Sequence, residues 1–181
     1  MTSVRLLYNG FGLRRQSFAN LCGTLPVRPH SLFCRPSPSP DLSYWYCEHS
    51  SKTKLPVLFI HGIGVGLYTY INFLAELNSR VDGLNHDGDA GIIAVEILPI
   101  SSRICPAALK GDEMADQIER IIDAHKWDKF VLVGHSFGSA IAASILRKPD
   151  FSKRVEAAVL IDPICFLLHL PNVAYNFVSR V

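Results

Sequence analysis

The amino-acid sequence predicts an α/β fold, with a parallel sheet that carries helices on both of its faces. The first observation is an alternation of short apolar runs with longer segments at helical period, which favours parallel strands joined by helical crossovers. The second is that two of the apolar runs end in glycine-rich turns, at the sheet edge where such folds bind ligands. The predicted strands cover residues 55–60, 91–97, 129–133 and 155–161.

The first forty residues differ from the rest of the chain. They contain five arginines and no acidic residue, and after Arg35 residues 36–40 alternate proline with serine as a stiff linker. We expect a disordered extension over residues 1–41, a folded core over 42–162 and an apolar segment over 163–181. We expect a cytoplasmic location. A mitochondrial location is the alternative, because an acid-free, arginine-containing start is also typical of a mitochondrial transit peptide.

Composition excludes several classes of function. Beyond residue 40 the chain has 13 basic and 16 acidic residues, so it offers no basic face for nucleic acid. The five cysteines are odd in number and include no C-x-x-C, which disfavours a metal site or a disulfide framework and favours a reducing, intracellular location. No apolar run reaches transmembrane length.

The first predicted strand of the parallel sheet leads into a glycine-rich loop. Residues 42–47 are aromatic and extended, as in an edge strand or a hairpin arm, and residues 55–60 form the strand itself. His61-Gly62-Ile63-Gly64-Val65-Gly66 follows, and then a predicted helix over 67–78. Dinucleotide binding needs a third glycine where Leu67 stands, and no Gly-Lys-Ser/Thr is present, so we expect no nucleotide cofactor. For His61 we expect hydrogen bonds that hold the loop rather than proton transfer.

The middle of the chain supplies a polar loop, a strand and an amphipathic helix. Residues 82–89 are polar, and their aspartates lack the spacing of a calcium loop. Residues 112–126 place apolar side chains on one helical face and acidic ones near the start, where the helix dipole favours them. The apolar face consists of Met114, Ile118, Ile121, Ile122 and His125.

The most informative turn is Gly134-His135-Ser136-Phe137-Gly138, between the strand 129–133 and a predicted helix over 139–147. A serine on a sharp strand-to-helix turn projects its Oγ, and glycines at both flanks avoid clashes with the neighbouring chain. The N–H of Phe137 then lies at the start of the helix and is a candidate donor to an oxyanion. The alternative is a glycine-rich turn without chemistry.

Taken with His61-Gly62 and with Asp162 at the end of the next strand, this turn resembles the α/β-hydrolase fold. Residues 55–70, 91–100 and 159–177 resemble, more narrowly, uncharacterised fungal proteins of the AB-hydrolase-1 type. The resemblance implies that Ser136 is a nucleophile, that the second oxyanion donor is the amide of Ile63 or else Gly64, and that the segment after 162 begins a lid. An apolar lid would suit small acyl or ester substrates, and a core-packing helix is the alternative.

The catalytic triad is incomplete in this reading. The family order is serine, acid, histidine, and Asp162 is either the acid or a cap of the next turn. His169 is the one histidine after Ser136 and lies in the apolar segment, while His125 and His135 are poorly placed as bases. We therefore expect an incomplete α/β-hydrolase fold, truncated before the acid, the histidine, the last strands and most of the lid. Open alternatives are an inert binding module and acyl transfer, haloperoxidase-like chemistry or dehalogenation on the same fold.

Overall fold

The computed structural model describes residues 36–77, 87–102, 107–166, 170–172 and 174–175. Five predictions fall wholly or partly outside these residues. They are the extension up to residue 35, the end of the first predicted helix at Asn78, most of the polar loop 82–89, part of the apolar segment 163–181, and the position of His169.

A five-stranded sheet organises the described residues. The strands are β1 (Ser43–Cys47), β2 (Val57–Ile60), β3 (Ile92–Glu96), β4 (Phe130–His135) and β5 (Val155–Ile161), in the spatial order β1-β3-β2-β4-β5. The α/β fold is confirmed, and β2 to β5 are parallel as predicted. Only β1 departs from this direction, since it pairs antiparallel with β3. It is therefore an edge strand and not a hairpin arm, because β3 separates it from β2.

Helices connect the strands. They are a 3₁₀ helix (Gly66–Tyr70), α1 (Ile71–Glu76), a 3₁₀ turn (Leu98–Ile100), α2 (Gly111–Ala124), α3 (Phe137–Arg147) and the short α4 (Pro149–Ser152). The single helix predicted over 67–78 is thus divided, and its first turn, Gly-Leu-Tyr-Thr-Tyr, is poor in strong helix formers. No helix in the described parts of the chain is long and apolar enough to span a membrane.

Both faces of the sheet are packed at β2, β3 and β4, where alternate side chains point to opposite sides, whereas β5 is largely exposed. On one face, Leu58 and Ile60 of β2 join the apolar face of α2 and the inner side of α3. On the other, Val57 and Phe59 pack with Leu67 and Leu74 from the 3₁₀ helix and α1. Complete burial of such side chains contributes about 1.5–3 kcal/mol each, so the sheet holds its covering helices firmly.

The predicted amphipathic helix is α2. Its Met114, Ile118, Ile121 and Ile122 are at most 1% exposed, as the periodicity predicts. At its start, the N–H of Lys110 donates to the Glu113 carboxylate over 3.1 Å. At its end, Lys126 adopts a left-handed φ of 56°, and the N–H groups of Lys126 and Trp127 donate to the carbonyls of Asp123 and Ile122. This is a Schellman ending with lysine where glycine is usual.

Two polar side chains shape the loops differently from the sequence prediction. Ser39, assigned to the extension, is fully buried and donates to the Gln117 side chain over 2.9 Å, so packing against α2 begins before residue 42. Asp87, predicted in a solvated loop, instead accepts hydrogen bonds from the hydroxyl of Ser51, the N–H of Lys52 and both the N–H and the hydroxyl of Thr53. These hydrogen bonds hold the pKa of Asp87 far below its usual range, the contact with Thr53 contributing most. The carboxylate therefore fixes the turn before β2.

Candidate active site

The turn around Ser136 has a strained backbone. Ser136 separates the last residue of β4 from the first of α3, with φ 50° and ψ −114°. A non-glycine residue in this region costs about 1–3 kcal/mol and persists only where its surroundings enforce it. Here the enforcing contacts come from the serine's own backbone, because its N–H donates to Ile161 of β5 over 2.9 Å and its carbonyl accepts from the N–H of Ser139 over 2.9 Å.

The glycines on either side of this turn have a steric reason to be there. A Cβ on Gly134 would lie 2.9 Å from the carbonyl oxygen of Gly138, and a Cβ on Gly138 would lie 2.2 Å from that of Ile60. Both neighbours are backbone atoms, which have little freedom to move. Strand β4, helix α3 and the end of β2 therefore meet at a point that excludes side chains.

His61 holds the loop after β2. It is fully buried, its Nε2 accepts the N–H of Ile97 over 2.9 Å, and its Nδ1 lies 2.7 Å from the carbonyl oxygen of Gly62. Since an N–H and a carbonyl flank the ring, the proton resides on Nδ1. Burial lowers the pKa of His61, partly offset by its hydrogen bond to Gly62 and by the charge of Glu96. The ring is thus neutral, and both nitrogens are engaged by backbone groups.

The same loop lies directly against the serine turn. A Cβ on Gly62 would be 2.9 Å from Nδ1 of His135 and 3.0 Å from Cβ of Ser136. Only glycine therefore lets the loop approach this closely. The close contact brings the amides that follow Gly62 to the side of the nucleophile candidate.

The loop amides are not equally available to an oxyanion. The N–H of Gly62 donates to the Tyr70 hydroxyl over 3.1 Å, and that of Gly64 donates to the Ile100 carbonyl over 3.0 Å. The second choice from the sequence, Gly64, is therefore disfavoured as an oxyanion donor, because its amide already donates to a carbonyl. Ile63 remains the candidate from this loop. Phe137 is the first residue of α3, where helical N–H groups have no intrahelical partner.

Asp162 lies beside His135. It follows β5 with a left-handed φ of 45°, and its Oδ2 is 3.7 Å from Nε2 of His135. The other ring nitrogen of His135, Nδ1, is 2.7 Å from the Tyr70 hydroxyl. His135 is thus engaged by Tyr70 on one side and faces Asp162 on the other. Tyr70 had no role in the sequence prediction, because only the packing of its helix on the sheet brings it to this position.

A second residue that sequence reasoning missed is Ser139, in the first turn of α3. Its fully buried hydroxyl donates to the carbonyl of Ser136 over 2.6 Å and accepts the N–H of Ile164 over 2.9 Å. The N–H of Cys165 approaches the same oxygen at 3.4 Å. Ser139 therefore ties the segment after Asp162 to the serine turn. Its position three residues after Ser136 is the one signal that could have indicated it.

The remaining histidine candidates lie away from Ser136 or outside the described residues. Nε2 of His125 is 2.7 Å from the hydroxyl of Tyr44, its ring stacks on Tyr46, and burial lowers its pKa. His169 is outside the described residues. Within the part of the chain that the structure describes, no group of three or more histidine, cysteine or acidic side chains could hold a metal ion.

Comparisons with known proteins agree with this fold. The profile of the alpha/beta hydrolase fold matches residues 56–179. The abhydrolase domain-containing protein abhd-5.2 of Caenorhabditis elegans is 33% identical in a match over 138 residues that covers 71% of this chain and 28% of that protein. The chain thus spans little more than a quarter of the curated relative it matches.

Solved structures give the same result for the fold. A bacterial membrane phospholipase A matches with a TM-score of 0.56 at 22% identity, over 90% of this chain and 44% of its own. A carboxylesterase from Bacillus subtilis matches with a TM-score of 0.54 at 18% identity, over 90% and 50%. A haloalkane dehalogenase from Bradyrhizobium elkani matches with a TM-score of 0.50 at 20% identity, over 70% and 40%. At these identities the matches establish a shared fold, not a shared reaction.

Proposed function

The chain belongs to the α/β-hydrolase family, and we propose that it carries the nucleophile and the oxyanion donors of a serine hydrolase for small esters with apolar acyl groups. The observation that carries the proposal is the strained backbone of Ser136 between β4 and α3. That conformation costs free energy, and a nucleophile elbow is the setting in which it has a use. In the proposal, Ser136 attacks the ester and Phe137 and Ile63 bind the oxyanion.

In the reaction we propose, Ser136 Oγ forms a bond to the ester carbonyl carbon, and the carbonyl electron pair moves onto its oxygen. The amides of Phe137 and Ile63 donate to this oxyanion, helped by the positive end of the α3 dipole. The serine proton passes to a general base and then to the departing alkoxide, which leaves as an alcohol. Water later hydrolyses the acyl-serine to a free acid.

The apolar substrate is supported by exposed side chains of the loop after β2 and of the segment after β5. Ile63 is 66% exposed, Val65 53% and Phe166 58%. Large apolar side chains exposed near a candidate site are typical of a surface that binds a lipophilic ligand. We therefore place the acyl chain of the substrate against this group.

A second candidate is a binding module that keeps the fold without turnover, and the contacts of the described histidines near Ser136 favour it. His61 is held by backbone groups, and His135 contacts Tyr70 and Asp162. We assign none of these groups as the base, and Asp162 is proposed as a partner of His135 rather than as the triad acid. A serine without its base loses most of its rate. Acyl transfer, dehalogenation or haloperoxidase-like chemistry would use the same nucleophile and stays a third alternative.

A fluorophosphonate probe separates the first two candidates. The full-length gene product, its Ser136→Ala variant and its Ser144→Ala variant are incubated with the probe, and the labelled peptide is identified by mass spectrometry. Ser144 is a matched control because it is a buried serine of the same helix. We expect labelling of the wild type and Ser144→Ala and none of Ser136→Ala. Folded wild-type protein that takes no label would favour the binding module.

Turnover of p-nitrophenyl butyrate then tests the substrate class. A serine hydrolase releases p-nitrophenol as it is acylated, with a burst that equals the concentration of active sites when hydrolysis of the acyl-enzyme is the slower step. We expect faster release with butyrate than with acetate if the acyl chain contacts the exposed apolar side chains. Equal rates for both esters would contradict the apolar acyl site while leaving Ser136 as the nucleophile.

A further inference from the structure

One hydroxyl group joins the two halves of the candidate site. Tyr70 is the last residue of the 3₁₀ helix that follows the glycine-rich loop. Its oxygen lies 3.1 Å from the N of Gly62, in the loop, and 2.7 Å from Nδ1 of His135, which precedes Ser136. The loop and the serine turn belong to different strand–helix units, so Tyr70 bridges segments 73 residues apart in sequence, from Gly62 to His135.

The Tyr70 ring is fixed by its neighbours. Its centroid lies 4.9 Å from that of Phe59, a fully buried residue of β2, and 5.5 Å from that of His135 in an edge-on arrangement. Aromatic pairs at such separations contribute about 0.5–1.5 kcal/mol beyond the area they bury. The hydroxyl is therefore presented by a ring with little freedom to rotate away.

The direction of each hydrogen bond follows from the donors available. The amide of Gly62 can only donate, so the Tyr70 oxygen accepts from it and keeps its own proton for His135. Of the two described partners of the Tyr70 hydroxyl, only Nδ1 of His135 can accept its proton, which assigns the ring proton of His135 to Nε2. That proton is on the side of the ring that faces Asp162, whose Oδ2 lies 3.7 Å away.

We infer that Tyr70 is a positioning residue, whose hydroxyl holds Gly62 against the serine turn and keeps His135 as the Nε2–H tautomer. By fixing Gly62, the hydroxyl fixes the neighbouring Ile63 amide relative to Ser136. The consequence for catalysis rests on the proposed function. The tautomer of His135 and the protection of the Gly62 amide from exchange are independent of the proposed function, since they are properties of the folded protein.

The matched control is Tyr44. Its hydroxyl also lies 2.7 Å from a histidine nitrogen, Nε2 of His125, but β1 is separated from β4 by β3 and β2. Tyr70→Phe and Tyr44→Phe therefore remove the same atom from the same kind of pair at the same distance. Only Tyr70→Phe removes it from the candidate site.

The first experiment measures the His135 tautomer and the exchange of the Gly62 amide in the folded full-length protein by NMR. Long-range ¹H–¹⁵N spectra should show His135 protonated on Nε2 in the wild type and in Tyr44→Phe, and a mixture of tautomers in Tyr70→Phe. Exchange of the Gly62 amide should be faster by at least about tenfold in Tyr70→Phe, because its acceptor is gone. A wild-type His135 protonated on Nδ1, or equal Gly62 exchange in both variants, would overturn the inference. The wild-type spectrum decides the tautomer even where Tyr70→Phe does not fold.

The second experiment measures the reactivity of Ser136. Small displacements of an oxyanion donor reduce the rate of the chemical step, so Tyr70→Phe should lower the fluorophosphonate labelling rate and kcat about 10- to 100-fold with KM near its wild-type value. Tyr44→Phe should label at the wild-type rate. A wild-type labelling rate in folded Tyr70→Phe would overturn the positioning role and leave the hydrolase proposal standing. Absence of label in the wild type would instead overturn the hydrolase proposal, and the NMR result would then decide on Tyr70.

Discussion

Gly138 in the first turn of α3 lies directly on the carbonyl group of Ile60 at the end of β2, where an added Cβ would be 2.2 Å from the oxygen. Three elements therefore converge without side chains between them, namely β2, β4 and α3. Through this contact the loop after β2 and the turn that carries Ser136 occupy one edge of the sheet. The candidate nucleophile and the candidate oxyanion donors are neighbours for this reason.

We expect Gly138→Ala to destabilise the protein severely, by at least about 3 kcal/mol, because the Cβ would overlap backbone atoms. Gly111→Ala is the matched control. There the Cβ would meet the Ser144 hydroxyl at 2.7 Å, the end of a side chain that can rotate, at the start of α2 where alanine favours the helix. We expect a change within about 1 kcal/mol for Gly111→Ala. Urea unfolding measures both, and equal losses would contradict the close contact at Ile60.

Ser139→Ala should loosen the segment after β5. The substitution removes the acceptor of the partly buried N–H of Ile164 and the hydroxyl that donates to the carbonyl of Ser136, which together cost about 1–3 kcal/mol. Hydrogen exchange should become faster at Ile164 and Cys165. Ser144→Ala in the same helix is the control, since its hydroxyl accepts from Arg147 and not from this segment. Unchanged exchange at Ile164 in Ser139→Ala would show that the hydroxyl does not hold the segment.

Stability should fall in mild acid because of two histidines, the buried His61 and the partly buried His125. Burial lowers the pKa of His61 and of His125 below 6.5 in the folded state, so the unfolded chain binds more protons as the pH falls. The contribution of the two neutral histidines to stability is therefore complete above about pH 6.5. Below that pH the free energy of unfolding falls, with a slope of at most about 1.4 kcal/mol per pH unit for each histidine. Urea unfolding at pH 7.5 and 5.5 measures this loss.

His61→Gln is the variant that assigns this pH dependence. An amide oxygen can accept the N–H of Ile97 in place of Nε2, but the side chain does not titrate. We expect a smaller loss of stability between pH 7.5 and 5.5 than in the wild type. An identical loss in both proteins would exclude His61 as a source of the dependence.

Lys126→Gly should stabilise the protein by about 0.5–1 kcal/mol. Lys126 occupies the left-handed position after α2 with φ 56°, which a side chain strains and glycine adopts freely. The gain should appear as a higher urea midpoint with an unchanged slope. Lys153→Gly, at a residue with φ −62°, should lower the midpoint instead. A midpoint for Lys126→Gly below the wild type would contradict the strain at this position.

The sequence determined which segments form the sheet and where the nucleophile turn lies. Apolar runs predicted β2 to β5 within a few residues, and the spacing of Gly134, Ser136 and Gly138 marked the turn, because hydrophobic period and glycine sterics are local properties. The profile match and the shared fold confirmed the family on which those predictions converged.

Tertiary structure alone decided which groups surround Ser136. Hydrogen bonds between segments far apart in sequence engage the amide of Gly64 and bring in Tyr70 and Ser139, and the end of β5 places Asp162 beside His135. They also placed β1 beside β3 and buried Ser39 against α2. No local pattern encodes such contacts, because each depends on how strands and helices pack around the sheet. The sequence thus specified the candidate nucleophile, and the packed sheet specified its neighbours.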